Sequence, residues 1–313
     1  MRGQRGFTIA ELMVALALGA LAMLMATMLL VSASAAYVGQ IEAAAVDDGG
    51  RYALEIITRA ARQAAFVNWE RDEAGVDASA APAQIQGFDA RSLKRDSEGM
   101  AGALADAVNG SDVLALRFAG AGTTPEGDGS VVNCAGFGVG AQEDGWSIFY
   151  VGRNAGGEPE LRCKYRGKSS WGADAVVAGV DTFQVLYGLD TDDPADGMAN
   201  EQVSASALDA LDAALVLAAT TEPARERERL QRSYWKRITS LRVALLLHGA
   251  APARARHEPM VFDLFGPAYS DAFGATDRGV HLLEADMGEA LRLRERRLFS
   301  STILLRNTVA GTR

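Results

Sequence analysis

The sequence predicts an α+β fold, one long N-terminal helix packed on a later antiparallel sheet. Three observations predict it. Roughly the first 65 residues carry helical spacing and few turn residues. From about residue 67 onward the text becomes short β-branched or aromatic runs bounded by Gly, Asp or Asn. Two Ala- or Arg-rich stretches then add helices to the strand-forming part. With 313 residues and 49% hydrophobic composition the chain can bury one sizeable core or two small ones.

From Phe7 to Val31 every residue except Thr8, Glu11 and Thr27 is apolar or glycine, a helix of about 38 Å at about 1.5 Å per residue, long enough to span a bilayer. Arg2 and Arg5 precede this run and no basic residue follows until Arg51, so the positive-inside rule puts the N-terminus in the cytoplasm and the rest outside. Beyond it Tyr37, Ile41, Ala44, Ala45, Tyr52, Ile56 and Arg59 fall at three- and four-residue spacing, extending the helix to about Phe66. Gly49-Gly50 interrupts it; at about 1 kcal/mol per glycine, the expectation there is a kink or a melted turn, with a short loop between two helices as the alternative.

Strands are expected at 111–118, 146–151, 161–165, 182–187, 241–248 and 299–305. Helices are expected over Ala-rich 204–219 and Arg-rich 222–237, the second with Glu222 and Pro223 in its first turn. No internal repeat is evident. The resulting division is a spanning helix over 7–35, its continuation over 36–66, and a globular domain over 67–313.

Composition excludes several function classes. The net charge of −9 offers no overall field for nucleic acid or an anionic lipid surface. The two cysteines form no CxxC pair and the three histidines are far apart, so zinc and haem motifs are absent. No GxSxG, Walker glycine loop or HExxH occurs, and the reading is a non-enzymatic structural subunit without a cofactor.

Glu11 decides how the N-terminus is read. A secretory signal cut near Ser34-Ala35-Ala36 would have a shorter apolar run. A plain signal anchor leaves Glu11 unexplained, since a carboxylate at membrane depth costs at least about 2.5–3.5 kcal/mol unless something answers it. The stretch Gly6-Phe7-Thr8-Ile9-Ala10-Glu11 resembles the processing site of type IV prepilins. That resemblance implies a leader over residues 1–6 and cleavage between Gly6 and Phe7 by a membrane prepilin peptidase. Methylation of the Phe7 amine would follow, and Glu11 would set register by meeting a terminal ammonium during assembly.

Further stretches narrow the resemblance. Gly50-Arg51-Tyr52-Ala53-Leu54 with Arg59 and Arg62, Gly110 to Leu114, Gly179 to Asp190, and Arg296 to Ile303 with Leu305-Arg306-Asn307 are similar to the PilW family of type IV pilus minor pilins. The likeness implies a pilin-like fold and a low-abundance subunit that joins other minor pilins and the major pilin. It further implies help in priming assembly and a position at or near the tip, where a large adhesin can be carried. The expected location is the inner membrane, in contact with its lipid, with the C-terminal domain periplasmic, and then the fibre. The Ala- and Arg-rich stretch near 204–232 departs from the family picture. The alternatives are a minor pseudopilin of a type II secretion system and a DNA-uptake pilin.

Three candidate sites remain. Cys134 and Cys163, in an oxidising compartment, invite a disulfide closing about 30 residues, roughly 3.6 kcal/mol in the chain-entropy picture; buried free thiols are the alternative. Asp190, Asp192, Asp193 and Asp196 with Asn200 offer oxygens suited to calcium, although the spacing is not that of an EF-hand and Pro194 intrudes; a solvated hairpin is the alternative. Arg225, Arg229 and Arg232 with Trp235 mix charge and stacking surface as single-stranded DNA binding does. Glu226 and Glu228 interleave with them, which favours a solvated, ion-paired helix. Arg292, Arg294, Arg296 and Arg297 are expected on an exposed face or against an acidic partner.

Overall fold

The structure is a computed structural model and describes residues 8–65, 81–253 and 258–307. Helix α1 runs from Ile9 to Gln63 without a break. Its buried positions, Val46, Gly50, Ala53, Ile57, Ala60 and Ala61, recur at the helical period, so the second half presents one stripe to the core. The first half presents nothing to the domain: large apolar side chains from Ile9 to Val31 are all exposed.

The expected interruption at Gly49-Gly50 does not occur. The glycines serve close packing instead. A Cβ on Gly50 would overlap the ring of Phe299, and one on Gly49 would come within 2.9 Å of Val177. Two missing side chains let the helix lie directly on the sheet, which offsets their low helix propensity.

Strands β1 (Ile85–Phe88), β2 (Val113–Ala119), β3 (Asp144–Arg153), β4 (Pro159–Arg166) and β5 (Trp171–Ala178) form an antiparallel meander. Strands β6 (Val180–Leu189), β7 (Glu201–Val203), β8 (Ile238–Pro252) and β11 (Arg294–Leu304) form a second antiparallel sheet in the order β11-β8-β6-β7. A two-stranded ribbon, β9 (Val261–Asp263) and β10 (His281–Leu283), lies beside it with helix α4 (Pro267–Phe273). Alternation along β8 sorts the core. Leu241, Val243, Leu245 and Leu247 face α1, whereas Ala244 and Leu246 face Phe262, Leu264 and Phe265 of the segment carrying the ribbon.

All six expected strands form; five are longer than expected, and β2 starts two residues later and ends one residue later than the expected 111–118. Helix α2 (Ala205–Ala213) stops before 219 and α3 (Glu222–Arg232) before 237. The second stop has a local cause. Ser233 and Tyr234 hydrogen-bond to Asp212 at 2.5 and 2.7 Å, and residues Tyr234–Arg237 tighten into a 3-10 turn that turns Trp235 inward. A short helix α5 (Glu289–Arg292) precedes β11.

Candidate functional site

At the head of α1 the Thr8 hydroxyl accepts from the Glu11 backbone N–H at 3.3 Å, while the Thr8 backbone N–H and hydroxyl donate to Glu11 Oε2 at 2.8 and 3.0 Å. This reciprocal capping box satisfies helix-end donors that hydrocarbon could not. Thr27, the other polar residue in the span, donates its hydroxyl to the Met23 and Leu24 carbonyls at 2.9 Å each. Gly6 and Phe7 lie outside the described residues.

Cys134 and Cys163 are joined by a disulfide with Cα atoms 5.9 Å apart. It ties the 133–137 turn to β4. That turn is also closed by Asn133 Oδ1, which accepts from the N–H groups of Ala135 and Phe137, and the Cys134 N–H donates to Ser147 Oγ at 3.0 Å.

In the acidic hairpin Asp190, Asp192 and Asp196 each place an oxygen within 4.8 Å of the others; Asp193 is not in that group. Asp190 accepts from the backbone N–H groups of Asp192 and Gly197 at 3.0 and 2.7 Å, and Asp196 from that of Met198 at 2.8 Å. Asn200 accepts from the Thr191 N–H at 2.7 Å and donates to Asp192 Oδ2 at 3.1 Å. These bonds are those of turn-forming Asp and Asn side chains.

The DNA-contact expectation is corrected at Trp235. Its ring is 6% exposed, donates Nε1–H to Asp209 at 2.9 Å and packs edge-on to Tyr187 at 5.0 Å, so no base can stack on it. Arg225 pairs with Glu222 at 3.5 Å, Arg229 with Glu226, and Arg232 with Glu228 at 3.0 Å. The helix is solvated and internally paired.

The second arginine cluster is also corrected. Arg292 donates to the carbonyls of Met287 and Ala285 at 2.9 and 3.0 Å, and Arg297 meets Asp47 of α1 at 2.6 Å. Arg296 is buried, with Asp181 at 2.8 Å and Glu284 at 3.1 Å. Asp181 also meets His248 Nδ1 at 2.9 Å, while His248 Nε2 lies 2.6 Å from Glu158, which in turn meets Arg294 at 2.5 Å.

Burial pushes the Asp181 and Glu158 carboxyls up; hydrogen bonds from His248 and the two arginines outweigh it and hold both below the usual carboxylate range. This network joins β6, β8, β11, the turn before β4 and the turn after β10. It was missed in the sequence because its members are spread from residue 158 to residue 296, with no local spacing to read.

Against this geometry, a family model for type IV pilus-assembly protein W matches residues 148–307, and one for the prokaryotic N-terminal methylation motif matches residues 1–27. Among solved structures the chain is similar to the type IV-like pilin TTHA1219 from Thermus thermophilus, with 11% identity and a TM-score of 0.40 over 84% of this chain and 97% of that one. No curated protein matches the chain.

Proposed function

The chain belongs to the type IV pilus-assembly protein W family, and from that premise we propose that it is a minor pilin that helps prime pilus assembly and takes its place in the tip complex. As a family member it is a structural, non-enzymatic pilus component, anchored by an apolar helix and carrying a methylation motif that implies processing and contact with other pilins. The observation that carries the finer reading is the division of α1. One half is core of the globular domain; the other is bare, apolar and headed by a capped carboxylate.

In this reading the prepilin peptidase cuts after Gly6, Phe7 is methylated, and the freed ammonium of a joining subunit draws Glu11 away from Thr8. The domain faces the periplasm before incorporation, and a tip adhesin and the other minor pilins are its partners. Intact-mass measurement on chain recovered from sheared pili tests the proposal. Loss of residues 1–6 with gain of one methyl group is expected, and Glu11→Gln is expected to lower recovery in the sheared fraction. A chain that still begins at Met1, or one absent from that fraction, overturns it. Deletion that abolishes exoprotein secretion and spares twitching would assign the chain to a type II secretion system instead.

A further inference from the structure

The outer face of the β11-β8-β6-β7 sheet, opposite α1, is only partly covered. Near β9 and α4 the residues Ala244 and Leu246 are buried under Phe262, Leu264 and Phe265. Two residues earlier on β8 the cover ends, leaving an open hollow of 410 Å³ lined by Gln202, Arg242, Ser300, Ser301 and Thr302. Register puts Arg242 opposite Leu186 on one side and Thr302 on the other. The adjoining position on β6 is Gly188, opposite Gln202 and Ser240, and the side chains of Ser240, Ala199 and Gln202 close over it, so the hollow ends there.

Arg242 is half-buried here, and what it touches is meagre for a guanidinium. Nη2 reaches the Phe265 carbonyl at 3.3 Å, and the Phe265 ring centre is 5.3 Å from Cζ. Among the described residues neither Nε nor Nη1 donates a hydrogen bond, and no carboxylate pairs with the group. The contrast within the same sheet is Arg296, which holds two carboxylates. The Ser300 and Thr302 hydroxyls likewise make no side-chain hydrogen bond among the described residues. At the rim Leu304 is 72% exposed.

A cation with unused donors, flanked by two hydroxyls and an apolar rim, suits a planar carboxylate bound by a guanidinium fork, and the apolar rim favours one carried on a protein segment with an adjoining apolar side chain over a free anion. The net charge of −9 means that the chain has acid to spare, yet no carboxylate lines the hollow among the described residues. We infer that this hollow seats an Asp or Glu side chain of a neighbouring pilin subunit, which makes it a docking surface separate from the apolar half of α1. The inference rests on the reading that the chain enters an assembly with other pilins.

The test uses the full chain in its own bacterium, with the photoreactive residue benzoylphenylalanine in place of Leu304 at the rim. Irradiation is expected to give an adduct whose partner peptide, mapped by mass spectrometry, comes from another pilin and contains Asp or Glu near the linkage. Arg242→Glu is expected to reduce the adduct by about tenfold or more and Arg242→Lys by less. Thermal melting of each detergent-purified variant checks folding, with Arg242→Gln used if Arg242→Glu does not fold. An adduct unaffected by these changes, an adduct on a peptide without acid or on lipid, or no adduct while folded chain is present overturns the inference. Blotting of the sheared fibre fraction in the same cells separates the two failures. Chain in fibres without an Arg242-dependent adduct removes only this docking surface; chain absent from fibres removes the functional reading.

Discussion

Two arginine-rich stretches, Glu222 to Arg232 and Arg292 to Arg297, look alike as text and differ in almost everything else. In the first Arg225, Arg229 and Arg232 each find an acid three or four residues away on the surface of α3, and no residue of that helix is buried. In the second Arg296 finds its acids 12 and 115 residues away and is fully buried. Helix α3 brings its own counter-ions; Arg296 on β11 borrows its acids from β6 and from the turn after β10. The same residue type is therefore solvated decoration in one place and the pin between two parts of the domain in the other.

Arg296→Met breaks the comparison most strongly. It removes the guanidinium that both Asp181 and the buried Glu284 hold, and a loss of about 3–5 kcal/mol in denaturant unfolding is expected. A loss below about 1 kcal/mol would mean that the network is no pin.

Lys164 sharpens the comparison, as a buried cation with no carboxylate in contact. Its ammonium donates to the Lys94 carbonyl at 2.9 Å and Ser97 Oγ at 2.8 Å, and burial, only partly offset by Asp96, lowers its pKa to about 8. Between that value and the ordinary value of 10.5 the unfolded chain binds the extra proton, so stability rises with pH across that window, by on the order of 2 kcal/mol. Lys164→Met is expected to flatten this rise in melts run from pH 7.5 to 10.5.

Replacing Arg225, Arg229 and Arg232 together by alanine is expected to cost less than about 1 kcal/mol, because exposed pairs contribute little. The variant and the parent chain are expected to leave labelled single-stranded DNA equally unretarded at low salt. The smallest effect expected is that of millimolar calcium, which should leave the melting temperature unchanged because the Asp190 hairpin is closed by its own amides. A calcium-dependent rise that Asp192→Asn abolishes would assign an ion to it.

Legibility in the sequence followed the range of the interactions. The apolar run, the strands rich in β-branched residues and Pro223 in the first turn of α3 were readable because each is decided by neighbours in the chain. Strand β5, Trp171–Ala178, was missed because its alanines, glycine and aspartate carry little strand preference and pairing with β4 decides the matter. Gly49-Gly50 was misread for a related reason. Propensity sees a helix breaker, whereas the side chains that require glycine there, Val177 and Phe299, lie more than a hundred residues away. At the site, Glu11 was legible as an oddity of position, and the His248-Asp181-Arg296 network was not legible at all.

Among the described residues the first hydrogen bond from the domain to α1 is at Glu42, whose carboxylate accepts from the Ala251 N–H at 3.2 Å, followed by Asp47 and the buried Val46. The stretch ahead of them, Ile9 to Ile41, is a stalk of about 50 Å whose large apolar side chains are all exposed. Such a stalk cannot pass through water on its way from bilayer to fibre. In the proposed reading the subunit is handed over directly, each oily side chain leaving lipid only as another helix takes its place, so growth of the filament and emptying of the membrane are one event seen from two sides.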